Sequence, residues 1–588
     1  MQTGISDTAM MQLLGVTLLD TQDLTQQPIA WFSSPTTTSI QLPVRLTPQY
    51  RFLDITALAQ AAGWQIQTQG SVLNISAPAA MVLDIQQGRA DRGNSLQSKV
   101  SLEKSPISGI PRRLVVYLDR PTPWQVTQRK QTVTVTLAAQ LSSTFLQVIA
   151  PNATPSPAVI ATPATPNSTP APAATSTPTA PNPTPAPTAT PDPPQPMQIK
   201  PEANRTVIQV TVPPQGRPRV WALPNPNRLI IDLQSDQTLS RDLLWAPGLR
   251  WRQQLLSVGR DRFPVVWLVI DPCQPGLKLR PIWSNPTSLV GITPLLDTAQ
   301  RWQVAAAING GFFNRNRQMP LGAIRQEGQW LSSPILNRGA IAWDERGSVA
   351  MGRLSFQETL VTTTGTRLPL QSLNSGYVQA GIARYTPLWG TTYTPLTNDE
   401  VIMTIQGDRV INQQAAAKAG ETAILIPTNG YLLVLRSNQT AASALPINTS
   451  LRLDTQTTPL EFSRYPYILS AGPLLLQNRQ IVLDAKAEKF SDAFIRETAV
   501  RSAIARTADG KLLVVTVHDR LQGTGPTLAE LASVVQQLGA VDALNLDGGS
   551  STSLYLGGQI IDRSAQSVAR VHNGIGIFIQ AGTESKAP

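Results

Sequence analysis

Residues 151–196 are almost entirely proline, alanine, threonine, serine and asparagine, with Asp192 the only charge. Such a stretch has too few side chains to bury against one another, so it is expected to stay extended, partly as polyproline II. It accounts for the excess behind the 50 prolines of the chain. The rest reads as globular, with 41% hydrophobic and 14% charged residues and a mean hydropathy of −0.08. At 588 residues several domains are expected. The division that follows is a β-rich and stalk-like region at 1–149, a linker at 150–197 acting as a tether, and folded material from 198 onward.

The formal charge of +11 and pI near 9.9 imply attraction to anionic material. Basic residues are scattered, with short clusters such as Arg112-Arg113 and Arg250-Trp251-Arg252, and no nucleic-acid-binding motif accompanies them. Anionic wall polymers or phosphorylated glycans suit this charge better, and scattered charge that serves solubility is the alternative. The single cysteine, Cys273, excludes an intrachain disulfide and any cysteine-based metal cluster. A Pro/Thr/Ala/Ser linker is typical of exported proteins, so a periplasmic or extracellular location is expected. The first residues show no signal peptide: Met10 to Leu19 lacks a basic leader and is broken by Gln12, Gly15 and Thr17, and Ser6 or Asp7 looks like the cap of a short amphipathic helix. The expectation is a chain that begins inside a folded domain, its signal lost by cleavage, truncation or a mis-called start. No window approaches the length of a transmembrane helix.

Two similar loops mark the last half: Ala306-Ala307-Ile308-Asn309-Gly310-Gly311-Phe312-Phe313-Asn314 and Ala543-Leu544-Asn545-Leu546-Asp547-Gly548-Gly549-Ser550-Ser551-Thr552. Each reads as a buried strand ending in a polar residue and two glycines. The glycines permit a sharp reversal that leaves backbone N–H groups facing the strand end, a ligand-binding geometry. Asp547 adds a carboxylate, and Ser550, Ser551 and Thr552 add hydroxyls. A clear helix lies between them, with Leu528, Leu531, Ala532, Val535 and Leu538 at helical spacing, a Thr527/Glu530 capping box and Gly539 as the stop.

These loops, with Gly472-Pro473-Leu474-Leu475-Leu476, Arg501-Ser502-Ala503-Ile504-Ala505, Gly525-Pro526-Thr527-Leu528-Ala529-Glu530-Leu531-Ala532 and Arg570-Val571-His572-Asn573-Gly574-Ile575-Gly576, resemble the phosphodiester glycosidase family. The order and wide separation of the motifs make the match specific, and it spans 275–581, with 582–588 as a tail. The resemblance implies hydrolysis of a sugar-1-phosphodiester of the N-acetylglucosamine-1-phosphodiester kind. The fold expected for that segment is mixed α+β, preceded by small β-rich domains.

Cleavage at the anomeric carbon needs groups that hold the phosphate, a carboxylate or metal that steadies an oxocarbenium-like transition state, and a group that activates water. Arg501 and Arg570 are candidate phosphate clamps. Asp547 is the leading carboxylate, Asp519 the next, and His518 a base suited to neutral pH, unless it is a hydrogen-bonded structural group. Substrate contacts are expected from Asn309, Gly310, Gly311, Asn314, Arg520, Gly548, Gly549, Ser550, Ser551, Thr552 and Asn573. The family more often carries Asp-Gly-Arg where this chain has His518-Asp519-Arg520. Asp and Asn at strand ends with nearby hydroxyls would suit calcium or magnesium, while two distant histidines, His518 and His572, do not suggest zinc.

The N-terminal 36–78 resembles the small stalk domain named after the copper amine oxidase N-terminus, with a helix from Ile55 to Ala62 capped by Asp54 and a hairpin at Trp64–Gln67 and Val72–Ile75. With no histidine before His518, a copper site is not expected there. Arg113-Leu114-Val115-Val116-Tyr117-Leu118-Asp119 and Arg228-Leu229-Ile230-Ile231-Asp232-Leu233, on either side of the linker, resemble AMIN-type β-sandwiches that bind wall polymers, and 198–274 is read as one such β-rich region. Trp221, Trp245, Trp251 and Trp267 would either stack on sugars or fill a core. Two functions follow: an exported glycosidase associated with the envelope through its N-terminal half, or a non-catalytic envelope protein that binds phosphorylated or wall glycans.

Overall fold

The computed structural model describes residues 3–33, 39–69, 72–88, 113–129, 131–149, 197–212, 218–233, 239–416, 418–520 and 523–580; residues 150–196 of the linker and the 582–588 tail lie outside these. The expected mixed α+β class is wrong. Among the described residues the chain forms forty-five strands and seven short α-helices, the longest being Leu528–Gln537. Sheets bury one another across most of the molecule, and this helix is a minor cover. Its Thr527/Glu530 capping box forms as expected, and Leu531, Ala532, Val534 and Val535 pack on Val515, Ala503, Ala505 and Ala543.

At the N-terminus, helix Asp7–Leu14 starts where the Ser6 hydroxyl accepts from Ala9 N and ends at Gly15 in the left-handed region. Helix Thr56–Ala62 is held by Asp54, which accepts from both the amide and the hydroxyl of Thr56. This region docks on the C-terminal half: the Thr8 hydroxyl donates to Gly557 O at 2.6 Å and Gln12 Nε2 to Ile560 O at 3.3 Å.

The two Arg-led strands on either side of the linker belong to one sandwich, and this explains their likeness. Arg113–Leu118 and Arg228–Asp232 pair antiparallel, Arg113 opposite Asp232, so each strand's start faces the other's end; an Arg113–Asp232 ion pair at 2.7 Å closes one end. Their sheet runs Ala139–Leu141, Ala80–Gly88, Arg113–Leu118, Arg228–Asp232, Arg219–Leu223. The facing sheet runs Trp124–Arg129, Thr132–Leu137, Arg205–Thr211, Met197–Glu202, again mixing strands from before and after the linker. Leu114, Val116, Leu229 and Ile231 meet Val133, Val135, Ile208 and Val210 in the shared core. The linker therefore departs from and returns to the same sandwich, instead of tethering two domains.

The expected boundary at 275 also fails. An eight-stranded sheet runs Arg241–Ala246, Leu249–Val258, Asp261–Ile270, Leu512–Val517, Arg501–Thr507, Ala540–Asn545, Leu474–Gln477, Gln480–Ile481. Three strands assigned to a separate region thus extend the C-terminal sheet, with Val265 opposite Val517 and Ile270 opposite Leu512. Trp245, Trp251 and Trp267 are core residues. Trp221 is partly exposed beneath the Arg219 guanidinium, which lies 4.6 Å from its ring. A five-stranded sheet, Leu277–Trp283, Asn573–Ile579, Ala306–Asn309, Leu554–Leu556, Gln559–Ile560, brings the other Gly-Gly loop to the same place.

Candidate active site

Ala306–Asn309 and Ala540–Asn545 are fully or nearly buried strands of different sheets, and their ends meet. Asn309, wholly buried, joins them: its Nδ2 donates to Asp547 O at 2.6 Å, while its Oδ1 accepts from the Ser502 hydroxyl at 2.8 Å and Ser553 N at 3.1 Å. Asp547 N donates to Gly310 O at 2.9 Å. Asn309 is therefore the clasp between the two loops, its Oδ1 engaged twice and one of its two Nδ2 hydrogens spent on Asp547 O.

The glycines act differently from expectation. Gly310 N donates to Asn573 O and Gly311 N to Asn573 Oδ1 at 2.7 Å, so these amides are engaged inside the protein. A Cβ on Gly311 would land on the Ser470 carbonyl oxygen, and one on Gly310 on Asn573 Oδ1. Close packing, not an open turn, demands glycine at both. Gly549 is a true turn glycine, with φ +62° and open space around it, and its amide donates to Val500 O at 2.6 Å. Ser551 and Thr552 are buried, the latter donating to Val500 O at 3.4 Å, and Ser550 is exposed.

Asp547 stands partly exposed on this rim. Burial of its surroundings pushes its carboxyl up to about 6; the Ser551 hydroxyl, the Gly548 amide and the Arg315 charge pull it down, and the Glu497 charge pushes it further up. Exposed Arg315 lies 3.5 Å from the Ser550 hydroxyl. Arg563 donates to Gly549 O at 2.8 Å and faces the charges of Asp562 and Asp519. Desolvation lowers the Arg563 and Arg501 guanidinium values, yet both stay charged at neutral pH. Arg501 is buried, donates to Glu497 O at 2.6 Å and Pro526 O at 3.4 Å, and stacks 5.2 Å from the Phe494 ring.

The structure thus gathers Asn309, Gly310, Gly311, Arg501, Asp547 to Thr552 and Asn573, and moves other residues out of direct contact. His518 is buried, its Nε2 3.3 Å from Asp562 Oδ2. Asp519 faces Arg563. Arg520 pairs with Asp261 and Glu530 and donates to Thr524 O and Gly525 O, so its fork holds a corner of the fold and is not a substrate contact. His572 is held near 4, and so neutral, by burial; its Nε2 lies 2.6 Å from Leu289 O. Asn314 accepts from Arg317 N. Arg570 is exposed, next to Ala569, whose amide donates to Ser550 O. Asn309 Oδ1 is already engaged by the Ser502 hydroxyl and Ser553 N, and among the described residues no three His, Cys, Asp or Glu side chains converge.

Sequence reading missed Arg315, Glu497, Asp562 and Arg563. Arg315 directly follows the first loop, which was signal enough. Asp562 and Arg563 lie beyond a hairpin whose return to the loop has no local sequence mark.

The arrangement is a mostly-β protein with one acidic strand-end loop ringed by arginines. A family model for phosphodiester glycosidases matches residues 399–578. The crystal structure of a hypothetical protein from Synechocystis is 37% identical, with 98% of this chain and 94% of that chain covered, at a TM-score of 0.83. The catalytic domain of zebrafish N-acetylglucosamine-1-phosphodiester alpha-N-acetylglucosaminidase, auto-inhibited by its pro-peptide, is 13% identical over 60% of this chain and 89% of that one, at a TM-score of 0.30. No curated protein matches. The segment 399–578 is thus similar to the phosphodiester glycosidase domain. The matched stretch starts after the Asn309 loop, which the clasp to Asp547 ties to it.

Proposed function

We propose that this protein is an exported glycosidase, periplasmic or extracellular, that hydrolyses a sugar-1-phosphodiester of the N-acetylglucosamine-1-phosphodiester kind in envelope or extracellular glycans. The observation that carries this reading is Asp547: a partly exposed carboxylate with its value pushed up to about 6, set on a rim with Arg315 and Arg563. As the bond from the anomeric carbon to the phosphate oxygen breaks, positive charge grows on the sugar and the phosphate departs with the bonding pair. The ionised Asp547 steadies the first, and the arginines balance the second. A phosphate is already a good leaving group, so strong acid catalysis is not required. The net charge of +11 and the Pro/Thr/Ala/Ser insert support work among anionic polymers outside the cytoplasm. Envelope association is assigned to the N-terminal half, where the Pro/Thr/Ala/Ser insert lies; among the described residues no helix is long and apolar enough to cross a membrane.

The test is release of free sugar and phosphate monoester by the purified full chain from nucleotide-sugars and wall-derived sugar phosphodiesters. Turnover of at least one is expected. Binding of phosphorylated glycans with no product from any of them would replace the enzyme with a glycan-binding protein.

A further inference from the structure

We infer that Glu497 is the second carboxylate of this site and takes the proton from the water that attacks the anomeric carbon. This rests on the reading of Asp547 as the carboxylate that steadies that carbon.

Glu497 follows the short helix Asp492–Arg496, and the chain runs from it to Val500, whose carbonyl receives both the Gly549 amide and the Thr552 hydroxyl. The segment and the catalytic loop are therefore one braced unit. Arg501 sets the spacing between the two acids. Its Nη2 holds the Glu497 carbonyl at 2.6 Å, and its Nη1 lies 3.9 Å from Glu497 Oε2. That same Nη1 comes 3.7 Å from where a Cβ on Gly548, the neighbour of Asp547, would stand. The Glu497 and Asp547 charges thus both act on one buried guanidinium.

Their environments differ in the way a two-carboxylate glycosidase needs. The Glu497 side chain is 52% exposed, open to incoming water, whereas Asp547 sits in the drier position. The charges around the pair are Arg501, which both acids act on, Arg315 across the mouth and Arg563 on the loop; burial is the main cause of the raised Asp547 value, and the Glu497 charge adds to it in the same direction as the smallest contribution. The neighbouring acids are committed elsewhere. Asp562 accepts from Leu554 N and meets His518; Glu530 caps its helix; Glu488 is buried and accepts from Gly339 N, Leu474 N and Arg353. Glu497 has no such structural bond to its carboxylate among the described residues beyond the Arg501 contact.

In the step assigned here, the water oxygen bonds to the anomeric carbon as the carbon–oxygen bond to phosphate breaks. The bonding pair leaves on the phosphate monoester, and the water proton passes to Glu497 and then to solvent. Arg501 becomes a positioning residue for Glu497, in place of the phosphate clamp expected from its sequence motif.

The experiment uses the full chain and a sugar-1-phosphodiester that the parent hydrolyses. Glu497→Gln is expected to lower kcat about a hundredfold or more with KM changed by less than about threefold and the melting temperature unchanged. Azide, which needs no deprotonation, should restore turnover of Glu497→Gln and yield the glycosyl azide. Asp547→Asn should lose turnover as well, without rescue. Glu497→Asp, which keeps the charge, should retain part of the rate. An active Glu497→Gln, or a loss that azide does not restore, overturns the assignment while leaving the proposed function standing. A parent with no turnover on any phosphodiester removes the proposed function, and this assignment with it.

Discussion

Asp547 is held in an environment that opposes its own charge, and this separates its effect on activity from its effect on stability. Its folded value of about 6 lies above the ordinary carboxylate value of 3.8. The stability the group adds is therefore fully present below 3.8 and lost as pH rises through about 6. Activity, which needs the ionised form, should rise over that same window. Asp547→Asn is accordingly expected to lower kcat at pH 7 by about a hundredfold or more and yet to melt higher than the parent at that pH. Thermal melts from pH 4 to 7.5 check this: the gap should widen with pH and close near pH 4. An Asn variant that melts lower at neutral pH would make Asp547 a turn residue that needs its charge. The sequence marked Asp547 as an acid at the end of a buried strand before two glycines, which is where the structure puts it. It could not show that Arg520 would be claimed by Asp261 and Glu530, because those partners lie on separate elements.

The two Gly-Gly loops look alike in sequence and differ as elements. Gly311 is required by the Ser470 carbonyl beside it, a backbone atom that cannot move aside, whereas Gly549 is required only by its φ. Gly311→Ala is expected to cost roughly 3 kcal/mol or to prevent folding, while Gly549→Ala should cost about 1–2 kcal/mol. Urea unfolding of the two variants distinguishes them; equal costs would mean that the first loop relaxes as easily as the second. Local signals served well at this scale: the Thr527/Glu530 capping box, the Ser6 cap and both buried strands form as read. The class was misread because strand pairing carries no local mark. Nothing around Val265 says that it will lie opposite Val517, and only such pairings reveal how far strands outnumber helices in the fold.

For the whole molecule, the interleaved sandwich changes what the Pro-rich segment can be. Strands before and after it share both sheets, so replacing 151–196 with a short Gly/Ser linker should leave melting temperature and turnover within error of the parent. A large loss would show that the segment contributes to the fold. By the same topology a 275–588 fragment, stripped of Arg241–Ile270, leaves Leu512–Val517 as a bare edge and opens the core around Phe263, Val265 and Trp267. It should be insoluble or molten by near-UV circular dichroism, while a fragment begun at 239 should be better ordered; a well-folded 275–588 would place the true boundary after these strands. The sequence showed where the segment lay but not that its two flanks meet, since that depends on the register of Arg113 with Asp232. The pairing of Leu277 with Ile579 has a consequence for synthesis. The strand at Leu277 must wait for nearly the last residues to leave the ribosome before its sheet can close. Until then the Ala306–Asn309 strand, which pairs with the same C-terminal strand, also lacks its partner. A chain truncated before residue 573 is therefore expected to aggregate, which the solubility of a 1–572 fragment checks.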